Sequence, residues 1–203
     1  MVKRTENGND RARRVLAQEA ARIIVEQGIA DYRSAKIKAA ERLGMSTHGA
    51  LPGNPEIEAA VSEHLKLFGR ESHSNLLRIL REAAVSAMDL LALFKPRLVG
   101  PVLNGTAAVN AAINLHVFAD SAEMVAMHLQ DSSVAYRPCE RRLKSRRGYS
   151  ETFAGFRFTR EESCVEATVF PVNGMRQAPI SPVDGKPMRR ADIRTIVKLL
   201  NGD

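Results

Sequence analysis

The sequence predicts an α+β protein, with a helical N-terminal region (1–95) followed by a domain built on a mixed β-sheet with flanking helices (96–203). Three observations carry this. Up to Phe94 apolar residues recur at spacings of three and four, as on one side of a helix. After Pro96 they alternate, as on one face of a strand. From that change onward the elements read strand, strand, helix, three strands, helix, and the last helix before the change is expected to pack on the sheet.

The first helix is "DRARRVLAQEAARIIVEQG", with Val15, Leu16, Ala20, Ile23 and Ile24 on one stripe, Asp10 as cap and Gly28 as stop. "DYRSAKIKAAERLG" is a second, opened by Asp31 and closed by Gly44. "MSTHGALPG" is a loop by composition. In "NPEIEAAVSEHLKLFG" Asn54 can cap and Pro55 suits the first turn, where Glu56 and Glu58 favour the positive end of the dipole. Ile57, Val61, Leu65 and Phe68 form its stripe and Gly69 its end. A longer helix over 74–94 turns Leu76, Leu77, Leu80, Ala84, Ala87, Met88 and Leu91 inward, and Pro96 stops it.

"RLVGPVL" and "AINLHVFA" read as strands, the second with Ile113, Leu115 and Val117 on one face and Asn114, His116 and Phe118 on the other. "DSAEMVAMHLQD" is a helix with a capping-box-like start at Asp120 or Ser121. "SVAYRPCERRL" is extended, and "TFAGFRFT" and "SCVEATVFP" form a hairpin about "REES". The Pro- and Gly-rich segment 171–187 wraps the surface before a final helix at 191–200, which buries Ile193, Ile196, Val197 and Leu200.

Composition sets limits on function. With 203 residues, 44% of them hydrophobic, the chain can bury one good core, or a modest domain plus a helical appendage. No apolar run approaches the roughly 18 to 20 residues that span a bilayer, so no membrane role is expected. The start, "MVKRTENGND", lacks the apolar stretch of a secretory signal. Cys139 and Cys164 match neither a metal-ligand spacing nor a disulfide framework and read as free thiols in the cytoplasm. A net charge of +7 suits an anionic partner, and the densest basic cluster is "ERRLKSRRGY", with Arg141, Arg142, Lys144, Arg146 and Arg147 against one acid. Without Trp there is little material for an extended base-stacking platform.

From 75 to 170 the layout resembles the nucleotidyltransferase superfamily, the fold of DNA polymerase beta, antibiotic nucleotidyltransferases and small bacterial nucleotidyltransferases. A helix leads into "RLVGPVLNGT", which is similar to the family's Gly-Ser turn segment, with Gly100 and Gly105 in place. "AINLHVFAD" is similar to the strand that carries paired aspartates one residue apart, and "VEATVFP" to the strand of the third carboxylate. The resemblance implies a metal-dependent nucleotidyl transfer site, in which acidic oxygens hold two divalent cations against a triphosphate. The departures bear on that chemistry. Pro101 stands where the family places Ser, and Ala112 and Asn114 stand where the aspartates belong. Between Arg97 and Ala119 there is no Asp or Glu, and Glu166 is the one carboxylate left.

Asn114, His116 and Glu166 therefore form a candidate remnant site, able to bind a nucleotide or a single metal, or else they are ordinary strand residues with hydrogen-bond partners. Gly100, Asn104, Gly105 and Thr106 are a candidate phosphate-holding turn, or a plain glycine turn. Arg141, Arg142, Lys144, Arg146 and Arg147 can track a phosphate backbone, or protect an edge strand. Tyr149 and Phe153 nearby can stack on a base. Arg11, Arg13, Arg14, Arg33, Lys36 and Lys38 on the first two helices suit DNA phosphates, although the pattern fits any amphipathic hairpin. The five histidines lack His-Glu-x-x-His spacing, and no Ser-His-Asp set is apparent.

The expected function is binding of a nucleotide or nucleic acid without efficient catalysis. One alternative is an active nucleotidyltransferase with a reduced site at Glu166, for which Mg²⁺ would be the cofactor. Another is a structural or DNA-binding regulatory protein, possible as a homodimer through its helical half.

Overall fold

The computed structural model describes residues 8–29, 31–46, 51–68, 70–145 and 148–202. The expected stop at Gly69, part of the 45–53 loop, the side chain of Phe68, and Arg146 and Arg147 lie outside the described residues. Among those described are seven α-helices and a five-stranded mixed sheet, so the fold is α+β. No described helix is long and apolar enough to cross a membrane. The chain divides into two compact units, 1–73 with 106–110, and 74–105 with 111–203.

The helical unit contains α1 (Gly8–Gln27), α2 (Tyr32–Arg42) and α3 (Asn54–Phe68). Its core is Leu16, Ala20, Ile23, Ala39, Ile57 and Val61. Small alanines on α2 let the helices approach closely, and Ala35, Ala39 and Ala40 are fully buried. Asp31 caps α2 by accepting from the Ser34 amide at 2.8 Å. Asp10 lies inside α1 rather than before it, and Val15 is exposed rather than buried. At the start of α3, Asn54 is already helical. The Gly53 carbonyl accepts from the Ile57 amide at 3.2 Å, and Glu56 reaches back to the Gly53 amide at 2.6 Å, the reciprocal half of a capping box. Glu58 joins three segments: the Tyr32 hydroxyl donates to one oxygen, and the Thr106 hydroxyl donates to the other at 2.6 Å.

The longer helix, α4 (Arg70–Leu90), ends in a single 3-10 turn at Ala92–Phe94 before Pro96. Strand β1 (Arg97–Val99) is shorter than expected. Gly100 takes φ 75°, ψ −155°, a glycine conformation, and Pro101 then opens the short helix α5 (Pro101–Asn104). The remaining elements are β2 (Ile113–Phe118), α6 (Ala122–Asp131), β3 (Tyr136–Lys144), β4 (Ser150–Arg160), β5 (Ser163–Phe170) and α7 (Ile193–Asn201). On α7 Ile196 is buried, but Val197 is exposed, against expectation.

The strand order is β1-β2-β5-β4-β3, with only the β2–β5 pair parallel. One face is apolar across the central strands, where Ile113, Leu115, Val117, Val165, Ala167, Phe156 and Phe158 are buried. The other face carries the polar chemistry. Both edges are protected. Leu98 and Ala191 exchange backbone hydrogen bonds of 2.8 and 3.0 Å beside β1. On β3 the Lys144 carbonyl accepts from Ile180 at 2.7 Å, which sets the even-numbered residues outward and places Pro138, with no N–H to offer, among them.

Candidate functional site

The polar face is assembled by register. Asn114 lies opposite Glu166 and His116 opposite Thr168 on the parallel strands β2 and β5. Arg157 of β4 lies opposite Glu166, and Gly155 opposite both Thr168 and, on its other side, Cys139 of β3. Because side chains alternate, Asn114, His116, Glu166, Thr168, Gly155, Arg157, Cys139 and Arg141 share one face. The three sequence-derived candidates, Asn114, His116 and Glu166, are therefore brought together.

Glu166 is 6% exposed, and its carboxylate is held by two guanidiniums, Arg141 on one oxygen and Arg157 on the other. Arg141 also donates to the Asn114 side-chain oxygen at 3.1 Å, while the Asn114 amide donates to the Ala112 carbonyl at 3.2 Å. A buried carboxylate requires such partners. Both arginines are half-exposed, at 45% and 57%, so their outer N–H groups face solvent.

His116 is buried, and Arg190 donates from Nε to its Nδ1 at 3.0 Å. An arginine can only donate, so the imidazole is neutral with its proton on Nε2. Burial, followed by the charges of Arg190 and Arg141, pushes its pKa down to about 3. Arg190 itself lies over the rings of Phe118 and Phe170, 5.0 and 5.1 Å from their centroids, and donates to the carbonyls of Gly174 and Met175. Burial and the nearby Arg97 lower its pKa to about 10. Phe153, weighed as a base-stacking residue, packs on Phe170 at 4.5 Å between centroids.

The glycine turn is divided between the units. Gly100 sits beside the Asn114 side chain, where a Cβ would meet Nδ2 at 3.3 Å. Asn104 is exposed at the end of α5, and Gly105 closes that helix in the left-handed conformation. Thr106 belongs to the helical unit, buried, with its hydroxyl committed to Glu58.

In the basic segment Arg141, Arg142 and Lys144 are exposed on β3 and Tyr149 is 71% exposed. Of the basic residues on α1 and α2, Arg13 is bridged to Glu56 at 2.8 Å, and Lys36 is partly buried with its pKa lowered by desolvation. Arg11, Arg33 and Lys38 are exposed.

The polar face does not fit a divalent cation. Such an ion needs several oxygen ligands; here Glu166 is occupied by two cations, and the Asn114 side-chain oxygen already accepts from Arg141. Among the described residues no three His, Cys, Asp or Glu side chains come together as a metal site. A cleft of about 560 Å³, lined by Leu93, Phe94, Phe118, Met124, Met127 and Met175 among others, shares Phe118 and Met175 with the surroundings of Arg190 but is not lined by Asn114, His116, Glu166, Arg141 or Arg157.

Sequence reasoning missed Arg157, Arg190 and Gly155. Arg157 was within reach, because a two-residue turn at Glu161–Glu162 fixes the hairpin register that places it opposite Glu166. Arg190 gave no signal, since it comes from an irregular segment seventy-four residues from His116. No family model and no curated protein sequence matches the chain.

Proposed function

We propose that the polar sheet face binds a phosphate-bearing ligand, a nucleotide or nucleic acid, without a divalent cation and without efficient nucleotidyl transfer. One observation carries this reading: Arg141 and Arg157 converge on Glu166 at the position where the nucleotidyltransferase resemblance would put a metal. Fixed guanidiniums supply there the positive charge that Mg²⁺ supplies in an acidic site, and they match phosphate geometry. They cannot activate a hydroxyl nucleophile or bridge a leaving pyrophosphate as a metal pair does. The two free thiols are in keeping with a reducing cytoplasm.

Calorimetric titration of ATP, with Mg²⁺ and with a chelator, tests the reading in wild type and in Glu166→Gln. The expected result is binding that survives the chelator and is several-fold tighter in the variant, whose two arginines no longer serve a carboxylate. Binding that requires Mg²⁺ and is abolished by Glu166→Gln would instead establish the reduced-metal enzyme.

A further inference from the structure

We infer that the polar face recognises a phosphoanhydride chain, phosphates linked directly in series, in preference to single phosphates or a nucleic-acid backbone, and that Arg137 supplies this selectivity. The inference rests on the phosphate-binding reading above and narrows it to one class of ligand.

The registers set four residues in a row across the sheet: Asn114 on β2, Glu166 on β5, Arg157 on β4 and Arg137 on β3. With strands about 4.8 Å apart, the backbone of Arg137 stands about 10 Å from that of Glu166 along the row. Arg137 and Arg157 are thus a directly opposed cross-strand pair of like charge, an arrangement that destabilises a sheet. Glu166 does not resolve it, because its one carboxylate is already shared between Arg141 and Arg157. Arg137 is exposed, and its side chain makes no ion pair among the described residues.

The neighbours do not cancel the excess. Asn114 is neutral, and His116 is held neutral by Arg190. Burial pushes the Cys139 thiol, between Arg137 and Arg141 on β3, above its ordinary value, so it keeps its proton. Glu151, the other acid on the strands of this face, stands six residues along β4 from Arg157. Three guanidiniums about one carboxylate leave a focus of positive charge, which suits a ligand whose own charges are consecutive. A nucleic-acid backbone spaces its charges with sugars and needs a track. Here the basic run of β3 is divided, since alternation puts Arg141 on this face and turns Arg142 and Lys144 to the other.

The face offers little to read a base. Phe170 packs on His116, Phe118 and Phe153 at centroid distances of 4.5, 6.1 and 4.5 Å, and Arg190 lies over Phe118 and Phe170. With these rings engaged by one another and by Arg190, the phosphates carry the recognition.

The test is calorimetry on the full chain in a chelator, with AMP, ATP, CTP, inorganic tripolyphosphate and a single-stranded oligonucleotide as ligands. The proteins are wild type and Arg137→Ala, which removes a repulsion and leaves both bridges to Glu166 in place. Wild type should bind ATP, CTP and tripolyphosphate within about threefold of one another, and AMP and the oligonucleotide about tenfold or more weakly. Within that range, tripolyphosphate ahead of ATP supports an inorganic chain as the ligand, and ATP ahead supports a nucleotide. Arg137→Ala should lose about tenfold in tripolyphosphate affinity and little for AMP, with an unfolding midpoint in urea no lower than wild type. AMP or the oligonucleotide binding as tightly as ATP, or an unchanged tripolyphosphate affinity in the variant, overturns the inference and leaves the phosphate reading standing. So does a lowered urea midpoint, which would mean that Arg137 serves the fold, or ATP binding without tripolyphosphate binding, which would mean that the base is read. Failure of every phosphate compound to bind wild type overturns both.

Discussion

Arg190 and His116, seventy-four residues apart, meet through a 3.0 Å hydrogen bond from Nε to Nδ1 that fixes the histidine as a neutral acceptor. The unfolded chain binds a proton at His116 below its ordinary value of 6.5, whereas the folded protein does so only near 3. The unfolded state therefore holds more protons in between, and stability falls as pH drops from about 6.5 toward 3. Above 6.5 the contribution is complete. His116→Gln, which keeps an acceptor but does not titrate, should flatten this part of the pH profile in urea unfolding. The difference between the two proteins should amount to a few kcal/mol at the acid end, on the order set by the shift. An unchanged profile would rule out His116 as the source.

The Glu58 carboxylate should be a stability hub for the helical unit. Thr106→Val and Tyr32→Phe each remove one donor to a partly buried carboxylate, at a cost of about 1 to 2 kcal/mol each. Because both act on one acceptor, the double variant should lose other than the sum of the two. Denaturant unfolding of the four proteins gives the cycle, and strict additivity would mean that the two bonds act independently.

Gly155 marks a close approach. A Cβ there would lie 2.9 Å from the Ala167 carbonyl oxygen and 3.2 Å from the Cys139 sulfur. The sulfur can rotate away, but the carbonyl belongs to the neighbouring strand. Gly155→Ala should destabilise by about 1 to 3 kcal/mol, the range for overpacking, and thermal unfolding measures it. A neutral result would mean that β4 and β5 separate there at little cost.

The hairpin tip stores strain that can be relieved. Glu161 and Glu162 both have positive φ, 45° and 61°, the conformation of a tight two-residue turn in which glycine is preferred. Glu161 also accepts from the Ser86 hydroxyl at 3.2 Å, so the better site to change is its neighbour. Glu162→Gly should stabilise by about 0.5 to 1 kcal/mol, seen as a raised melting temperature, and a fall would show that the Glu162 side chain holds the tip.

Local chemistry made much of the fold legible. Asp31 announces α2 because a cap is written within four residues, and the alternation from Ile113 to Phe118 announces β2 because successive side chains of a strand point to opposite faces. Where "RLVGPVL" reads as one strand, the structure breaks it at Gly100, since Pro101 is as well suited to a first helical turn as to an extended run. The candidate site divides in the same way. Asn114, His116 and Glu166 could be named from the strand pattern, but the arginines that decide their chemistry arrive by non-local pairing. Arg141 reaches Glu166 only through the registers of β3 on β4 and β4 on β5, and neither strand spells that out alone.

The five residues 106–110, counted with the helical unit although they follow β1 and α5 in the chain, bear on when that unit can be finished. During synthesis α1, α2 and α3 emerge first, yet the Thr106 hydroxyl that satisfies Glu58 is made nearly fifty residues later. The nascent helical unit must wait for α4, β1 and α5 to be made before this hydrogen bond can close. A chain cut after His73 would keep three helices and lose that closure permanently, so a unit whose helices are made before α4 is completed only after it.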